Sequence, residues 1–160
     1  MASGDNRSLV PEWLDGTGLR AAVVRTRWND DIVTALTEGA VRGLTDLGVE
    51  VGDVVWAPGA FELPYACQQV IRSGDVDLVV AVGAVIRGET THYELVSEGA
   101  AEGVARVQLD EGVPIGFGVV TVENDAQAHA RSEGPGGHNV GEEAAQAAVE
   151  MADLARRLRS

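Results

Sequence analysis

Hydrophobic residues follow two alternating periods along the chain. Runs of adjacent or alternating apolar residues, typical of strands, occupy four short segments: 21–24, 49–56, 78–86 and 115–122. Between and after them, apolar residues recur every three or four positions, which indicates helices over 30–47, 61–73, 92–111, 124–132 and 139–158. Strands that alternate with helices predict an α/β protein, a three-layer α/β/α sandwich around a four-stranded parallel sheet.

The length and the breaks in this pattern predict one domain. Residues 1–18 are polar and rich in glycine and aspartate, and we expect an extended N-terminal arm there, followed by a single domain over 19–160. The segment 78–86 is the longest β-branched run, so it is expected to be a central strand covered on both faces. Glycine and proline at 134–137 interrupt the chain before the last helix.

Composition limits the classes of partner. With 45% hydrophobic and 23% charged residues the chain is an ordinary globular protein, but its formal net charge is −13. That charge argues against binding to nucleic acid or to an anionic membrane, and no apolar run approaches the roughly 20 residues that span a bilayer. A local cationic cluster could still bind a small anion.

Cysteine and lysine usage limit the chemistry. The single cysteine, Cys67, excludes an intrachain disulfide and a multi-cysteine metal site; with no signal peptide visible, we expect a cytoplasmic protein. All 12 basic residues are arginine, so no lysine can form a Schiff base with a substrate. Any imine chemistry must use an amine that the substrate brings.

Unusual residues cluster where the predicted strands end. In a parallel sheet the carboxyl ends of the strands share one edge, where ligands bind. Four loops fall there: Arg27-Trp-Asn29, Pro58-Gly-Ala-Phe-Glu62, Gly88-Glu-Thr-Thr-His92 and Thr121-Val-Glu-Asn124. Taken singly, Trp28 could be a packing residue and Glu62 a solvated acid in the first turn of a helix. Their joint placement favours a binding site.

The most informative loop follows the buried strand at 78–86. It reads Gly83-Ala-Val-Ile-Arg-Gly-Glu-Thr-Thr-His92 and delivers glycine, two hydroxyls and an imidazole to a helix N-terminus. Free N–H groups and the helix dipole favour phosphate there, and His92 is suited to transfer protons near neutral pH. The alternative is a capped helix start with an exposed histidine.

These loops, in this order, resemble the lumazine synthase family from about residue 18 to residue 158. The most specific motifs are Pro58-Gly-Ala-Phe-Glu62, Val85-Ile-Arg-Gly-Glu-Thr-Thr-His-Tyr93, Phe117-Gly-Val-Val-Thr-Val-Glu-Asn124 and Glu150-Met-Ala-Asp-Leu154. The resemblance implies a flavodoxin-like fold and a transferase of riboflavin biosynthesis without cofactor or metal. The family condenses 5-amino-6-ribitylamino-uracil with 3,4-dihydroxy-2-butanone 4-phosphate and releases phosphate and water.

The resemblance also implies a role for individual residues. Trp28 would stack on the pyrimidine, the turn Ala60, Phe61 and Glu62 would bind the ribityl chain, and Val85 and Ile86 would offer backbone groups to the pyrimidine edge. The remaining positions are a phosphate-binding turn, a phosphate-binding arginine, a proton-transfer residue and an aromatic wall. The turn is formed by Gly88, Glu89, Thr90 and Thr91. The arginine is Arg131, the proton-transfer residue is His92 and the aromatic wall is Phe117.

In the family, the aromatic wall and the arginine come from a neighbouring subunit. The resemblance therefore implies a homo-oligomer built on pentamers, with active sites at subunit interfaces. Some members assemble twelve pentamers into a shell. The length of the loop before the last helix and Pro11 favour a pentamer or a pair of pentamers here.

One position departs from the family pattern. Val140 stands where the family usually has a lysine that reaches into the site, and Val122 replaces a common threonine. His138 could fold inward and replace part of the lost charge. The departure leaves two alternatives open: an enzyme for a modified pyrimidine or other diamine, and an oligomeric shell or ligand-binding relative with reduced or altered activity.

Overall fold

The computed structural model describes residues 10–160, which form four strands and five α-helices. The strands are β1 (Arg20–Thr26), β2 (Glu50–Ala57), β3 (Leu78–Ile86) and β4 (Ile115–Val122). The helices are α1 (Asp30–Asp46), α2 (Leu63–Arg72), α3 (His92–Glu111), α4 (Asp125–Ala130) and α5 (Val140–Arg159), and a 3₁₀ turn at Ala60–Glu62 precedes α2. The predicted α/β class is confirmed.

The four strands form one parallel sheet in the order β2-β1-β3-β4. The chain therefore adds β2 on one side of β1 and then crosses back to add β3 on the other side. Such a reversal leaves a crevice at the carboxyl ends of the two strands that flank it, here β1 and β3. The topology alone thus marks where a ligand would bind.

Helices cover both faces of the sheet and give the predicted three layers. One core cluster joins alternate strand residues to α1 and α5, and a second joins the intervening residues to α2 and α3. The first seven residues of β3 are all buried, as expected for a central strand whose two faces are covered. The edge strand β2 is mostly exposed.

Helices α1 and α5 approach each other closely at two glycines. A methyl group added at Gly39 would lie 2.1 Å from Oδ1 of Asn139, and one added at Gly141 would lie 2.1 Å from the carbonyl oxygen of Leu36. Only glycine fits these contacts, because real carbon atoms do not approach oxygen so closely.

Asparagine caps fix the starts of the last two helices. The backbone N–H of Gln127 donates to Oδ1 of Asn124 at 2.9 Å, and that of Glu142 donates to Oδ1 of Asn139 at 3.0 Å. Each helix begins one residue after the predicted start, because the asparagine is the cap rather than the first helical residue.

The segment 10–18 packs against the C-terminal helix; residues 1–9 of the predicted arm lie outside the described residues. Leu14 is buried in the first core cluster, and the guanidinium of Arg157 lies 5.0 Å from the centre of the Trp13 ring. Arg156 donates to the carbonyl oxygens of Asp15 and Thr17. Among residues 10–160, none of the helices is long and apolar enough to cross a membrane.

Candidate active site

A cleft of about 390 Å³ opens at the carboxyl ends of β1 and β3, where the chain reverses. Its walls come from the loop after β1, the turn after β2, the end of β3 and the start of α3. The lining residues are Trp28, Asn29, Gly59, Ala60, Phe61, Glu62, Ala84, Val85, Ile86, His92 and Val96. Seven of these were predicted from the sequence to lie in a binding site.

The loop after β1 presents a flat aromatic surface. The indole of Trp28 is 73% exposed, so it does not pack in the core of its own chain. The next residue, Asn29, adopts the left-handed conformation with φ 57°, and its side-chain amide donates to the carbonyl oxygen of Ala84 at 3.3 Å. This bond joins the loop to β3 across the floor of the cleft.

The turn after β2 places a carboxylate beside that aromatic. A methyl group added at Gly59 would lie 3.2 Å from Oε1 of Glu62 and 3.5 Å from Cδ1 of Trp28, so the glycine sits between the two side chains. The ring of Phe61 is 60% exposed and lies against Gly99 of α3. An exposed ring and a carboxylate beside an indole can bind a flat heterocycle and the hydroxyl groups attached to it.

His92 is the first residue of α3 and lines the cleft. Its backbone N–H donates to Oγ1 of Thr90 at 3.3 Å, so part of the helix N-terminus is already paired. The turn residues Gly88, Glu89, Thr90 and Thr91 are exposed next to the cleft but do not line it. The space beside Gly88 is open, with no described atom within 4 Å of an added methyl group.

Arg87 holds this turn in place, and its guanidinium is paired with two carboxylates. Its Nε donates to Glu123 at 2.9 Å, its Nη1 donates to Glu94, and its guanidinium lies 4.2 Å from the centre of the Tyr93 ring. The hydrogen bond from Arg87 lowers the pKa of Glu94, and the two carboxylates raise the pKa of Arg87. Arg87 therefore stabilises the turn and is not available as a free cation to bind phosphate.

Besides the four turn residues, two more predicted site residues do not line the cleft of their own chain. Phe117 pairs in register with Ala81, four residues before Val85, which places it about 13 Å back along the sheet. Arg131 follows α4, and its Nη1 donates to the carbonyl oxygen of Gln127 at 3.0 Å. Within one chain the structure brings together the pyrimidine and ribityl candidates with His92, but not Phe117 or Arg131.

Four lining residues had no individual role in the sequence analysis, although two of them lie in loops grouped there as a binding site: Asn29 and Gly59, with Ala84 and Val96 as the other two. Asn29 carried a signal, because asparagine tolerates the left-handed conformation and often ends a loop before a helix. The others carry no functional chemistry of their own. His138, considered as a substitute cation, instead pairs with Glu143, with 3.3 Å between Nε2 and Oε2.

The described part of the chain offers neither a metal site nor a reactive thiol. Residues 10–160 contain no group of three histidine, cysteine, aspartate or glutamate side chains that could hold a metal ion. Cys67 is buried in the second core cluster, and burial raises its pKa to about 12, so its thiol stays neutral and unreactive.

Together the fold and the cleft define the class, an α/β enzyme that acts on a small molecule at the carboxyl edge of its sheet. The profile of one family, described as 6,7-dimethyl-8-ribityllumazine synthase, matches residues 18–156. The chain belongs to that family.

Individual relatives agree along nearly the whole chain. A 6,7-dimethyl-8-ribityllumazine synthase of Cupriavidus necator is 48% identical over 157 residues, which cover 97% of this chain and 92% of the relative. A 6,7-dimethyl-8-ribityllumazine synthase of Cupriavidus pinatubonensis is 47% identical, and the aligned residues cover 93% of this chain and 87% of the relative. A relative from Thermococcus gammatolerans is 48% identical, covering 89% of this chain and 92% of its own.

Proposed function

We propose that this protein condenses 5-amino-6-ribitylamino-uracil with 3,4-dihydroxy-2-butanone 4-phosphate to 6,7-dimethyl-8-ribityllumazine in riboflavin biosynthesis. It is a transferase of the family to which its sequence belongs. The observation that carries the proposal is the cleft at the chain reversal, which holds an exposed indole, a carboxylate and an imidazole together. The absence of lysine agrees with this reaction, because the pyrimidine supplies the amine.

Each wall of the cleft suits one part of the pyrimidine substrate. The exposed face of Trp28 stacks on the pyrimidine ring, and Glu62, with Ala60 and Phe61 in the same turn, binds the ribityl hydroxyls. The backbone at Val85 and Ile86, the last residues of β3, offers hydrogen bonds to the pyrimidine edge. A stack of this kind contributes about 0.5–1.5 kcal/mol beyond burial, so it orients the substrate more than it anchors it.

The phosphate substrate binds at the start of α3. Gly88, Glu89, Thr90 and Thr91 form an exposed turn before a 20-residue helix, whose positive end and free N–H groups favour an anion. The turn keeps its place through Arg87, which joins it to Glu123 and Glu94. Both substrates would then meet beside His92, which moves protons during imine formation, phosphate loss and ring closure.

The site is completed by a second subunit. Phe117 and Arg131 lie outside the cleft of their own chain, and a guanidinium fork is well suited to phosphate. Exposed apolar side chains on the α2 and α3 side, including Tyr65, Leu95 and Leu109, offer an interface for such a neighbour. We assign the protein a homo-oligomeric assembly based on pentamers, and a cytoplasmic location.

The alternative of a shell or ligand-binding relative rested on Val140, and it is not favoured. Val140 is the first residue of α5, is half buried and packs against the first core cluster. It is not among the residues that line the cleft. A valine there removes one cation and leaves the described cleft intact.

The first test is a fluorescence assay for lumazine formation with the two substrates. Turnover well above the uncatalysed condensation is expected from the wild-type protein. Rates at background level from a folded, assembled protein would overturn the proposed function.

A second test concerns shared sites. Two variants that are each expected to turn over slowly, His92→Ala and Arg131→Ala, are unfolded and then refolded together in equal amounts. If each site takes His92 from one subunit and Arg131 from its neighbour, random mixing restores about one quarter of the wild-type sites. No regain of activity in mixed assemblies would place both residues in the same subunit's site.

A further inference from the structure

Arg25 is a buried charged residue that lies outside the cleft. It is 4% exposed, and its guanidinium donates to Asp30 at 2.6 Å, to Oγ1 of Thr34 at 3.0 Å and to the carbonyl oxygen of Thr26 at 3.3 Å. The same group lies 3.8 Å from the centre of the Trp56 ring. Removing a charge from water costs free energy, and the hydrogen bonds of the cluster offset that cost only when all of the partners are in place. The cluster therefore has one favoured arrangement.

The partners of Arg25 enclose the loop that forms one wall of the cleft. Trp28 and Asn29 lie between Thr26 and Asp30, and Arg25 bonds to both of these flanking residues. Asn29 itself adopts the left-handed conformation and bonds to Ala84, so the loop is held at its ends by Arg25 and near its middle by β3.

The same cluster reaches the second wall. Trp56, which stacks on Arg25, is paired with it in register on β2 and precedes by three residues the cleft residue Gly59. Because Gly59 sits directly beside Trp28, a shift of either loop changes the gap between them. Arg25 thus ties together β1, β2 and the start of α1 beneath the two loops.

We infer that Arg25 is a positioning residue for pyrimidine binding: it fixes the Trp28 indole against the turn that holds Gly59 and Glu62. This inference rests on the proposed function for the identity of the ligand. Arg25 does not touch the substrate, and it acts through the loops that do.

The test is Arg25→Met, which keeps the length and apolar packing of the side chain and removes its charge and donors. The Michaelis constant for the aminopyrimidine is expected to rise about two- to thirteenfold, the range that loss of one aromatic stack produces. The Michaelis constant for the phosphate substrate and kcat are expected to change by less than about twofold, since the start of α3 is untouched. A side chain with a purely structural role would not produce this split.

Arg42→Met is the matched control. Arg42 is a half-buried arginine of α1 that pairs with Glu142 at 3.1 Å, and it lies 12 residues beyond Asp30, roughly 18 Å along the helix. It is expected to leave both Michaelis constants unchanged. Arg25→Lys keeps the charge beside Asp30 but not the planar fork, and it should restore part of the pyrimidine affinity.

Binding of 6,7-dimethyl-8-ribityllumazine, followed by its own fluorescence, separates failure of the inference from failure of the proposed function. A wild-type protein that binds this product without turnover contradicts the function, and weaker binding by Arg25→Met would still support the inference. The inference would be overturned if wild type and Arg25→Met bound the product with equal affinity or if neither bound it. It would also be overturned if Arg42→Met lost as much affinity as Arg25→Met. If Arg25→Met does not fold, Asp30→Asn takes its place, with an expected rise of about two- to threefold in the same constant.

Discussion

At the scale of single residues, binding and proton transfer are carried by different side chains. In the proposed reaction His92 supplies the imidazole, whereas the pyrimidine is held by the loop after β1, the turn after β2 and the end of β3. Holding two reactants in a productive geometry can contribute about 7–11 kcal/mol, and a positioned acid or base about 10²–10⁴-fold. In the proposed reaction, most of the rate acceleration therefore comes from the residues that hold the two substrates together.

His92→Ala is expected to lower kcat by about 10²–10⁴-fold and to leave both Michaelis constants within about threefold. The measurement is lumazine formation at saturating substrate. His129→Ala is the control, because His129 is an exposed histidine near Asp31 and does not line the cleft. Turnover indistinguishable from the uncatalysed reaction in a folded His92→Ala protein would contradict this division of roles.

Val140→Lys should tighten binding of the phosphate substrate. The backbone N–H of Val140 donates to the carbonyl oxygen of Arg131 at 2.9 Å, so a lysine there begins next to the proposed phosphate-binding arginine. A second cation near a phosphate favours binding, most strongly at low ionic strength. An unchanged or larger Michaelis constant, compared with that of Val140→Met, would show that the position no longer faces the site.

At the scale of elements, glycine sets the distance between α1 and α5. Gly141→Ala places a methyl group 2.1 Å from the carbonyl oxygen of Leu36, so one helix must move. We expect the free energy of unfolding to fall by about 1–3 kcal/mol, although alanine is the better helix former by ~1 kcal/mol. Denaturant titration measures the change, and Gly134→Ala, where an added methyl group meets nothing within 4 Å, is the control. Equal stability of the two variants would mean that the helices separate at no cost.

The ion pairs that Asp153 makes within α5 should weaken in acid. A hydrogen bond from Arg157, with another from Arg156, lowers the pKa of Asp153. An acid whose pKa is lowered by folding stabilises the protein above its unfolded pKa, near 3.9, and this contribution is lost as pH falls through the folded value. The stability difference between wild type and Asp153→Asn should be constant from pH 7 to about 5 and shrink below about 4. A difference that does not change with pH would contradict the ion pairs.

Elements were predictable where a local pattern decides them. The continuous β-branched run of β3 and the asparagines before α4 and α5 specify their own structure. The partner of the Asn29 side chain was not predictable, because it is the carbonyl oxygen of Ala84, 55 residues away. The burial of Arg25 was missed for the same reason, since its partner Trp56 comes from another strand.

At the scale of the whole molecule, negative charge opposes assembly. Each chain carries a net charge of −13, so copies in the proposed pentamer would repel one another across distances that salt shortens from about 30 Å at 0.01 M to about 10 Å at 0.1 M. Sedimentation is expected to show smaller species at 10 mM sodium chloride and the full assembly at about 0.5 M. Sucrose serves as the uncharged control. The same sedimentation coefficient at both salt concentrations would mean that interface packing outweighs the repulsion.

The whole site was predictable only through the family resemblance. Residues on the loops after β1, β2 and β3 meet in one chain, so their positions at strand ends were enough to group them. Phe117 lies in mid-strand and Arg131 after a six-residue helix, and nothing in the pattern of a single chain assigns either to the cleft. A site shared between subunits leaves no trace in the periodicity of one.

The buried thiol of Cys67 gives the protein an internal reporter of motion. The side chain is fully shielded between α2 and the sheet, so a thiol reagent can reach it only when α2 lifts away. The turn that carries Phe61 and Glu62 runs directly into α2 and would move with it. The labelling rate of this single cysteine therefore measures how often one wall of the cleft opens, with no engineered probe.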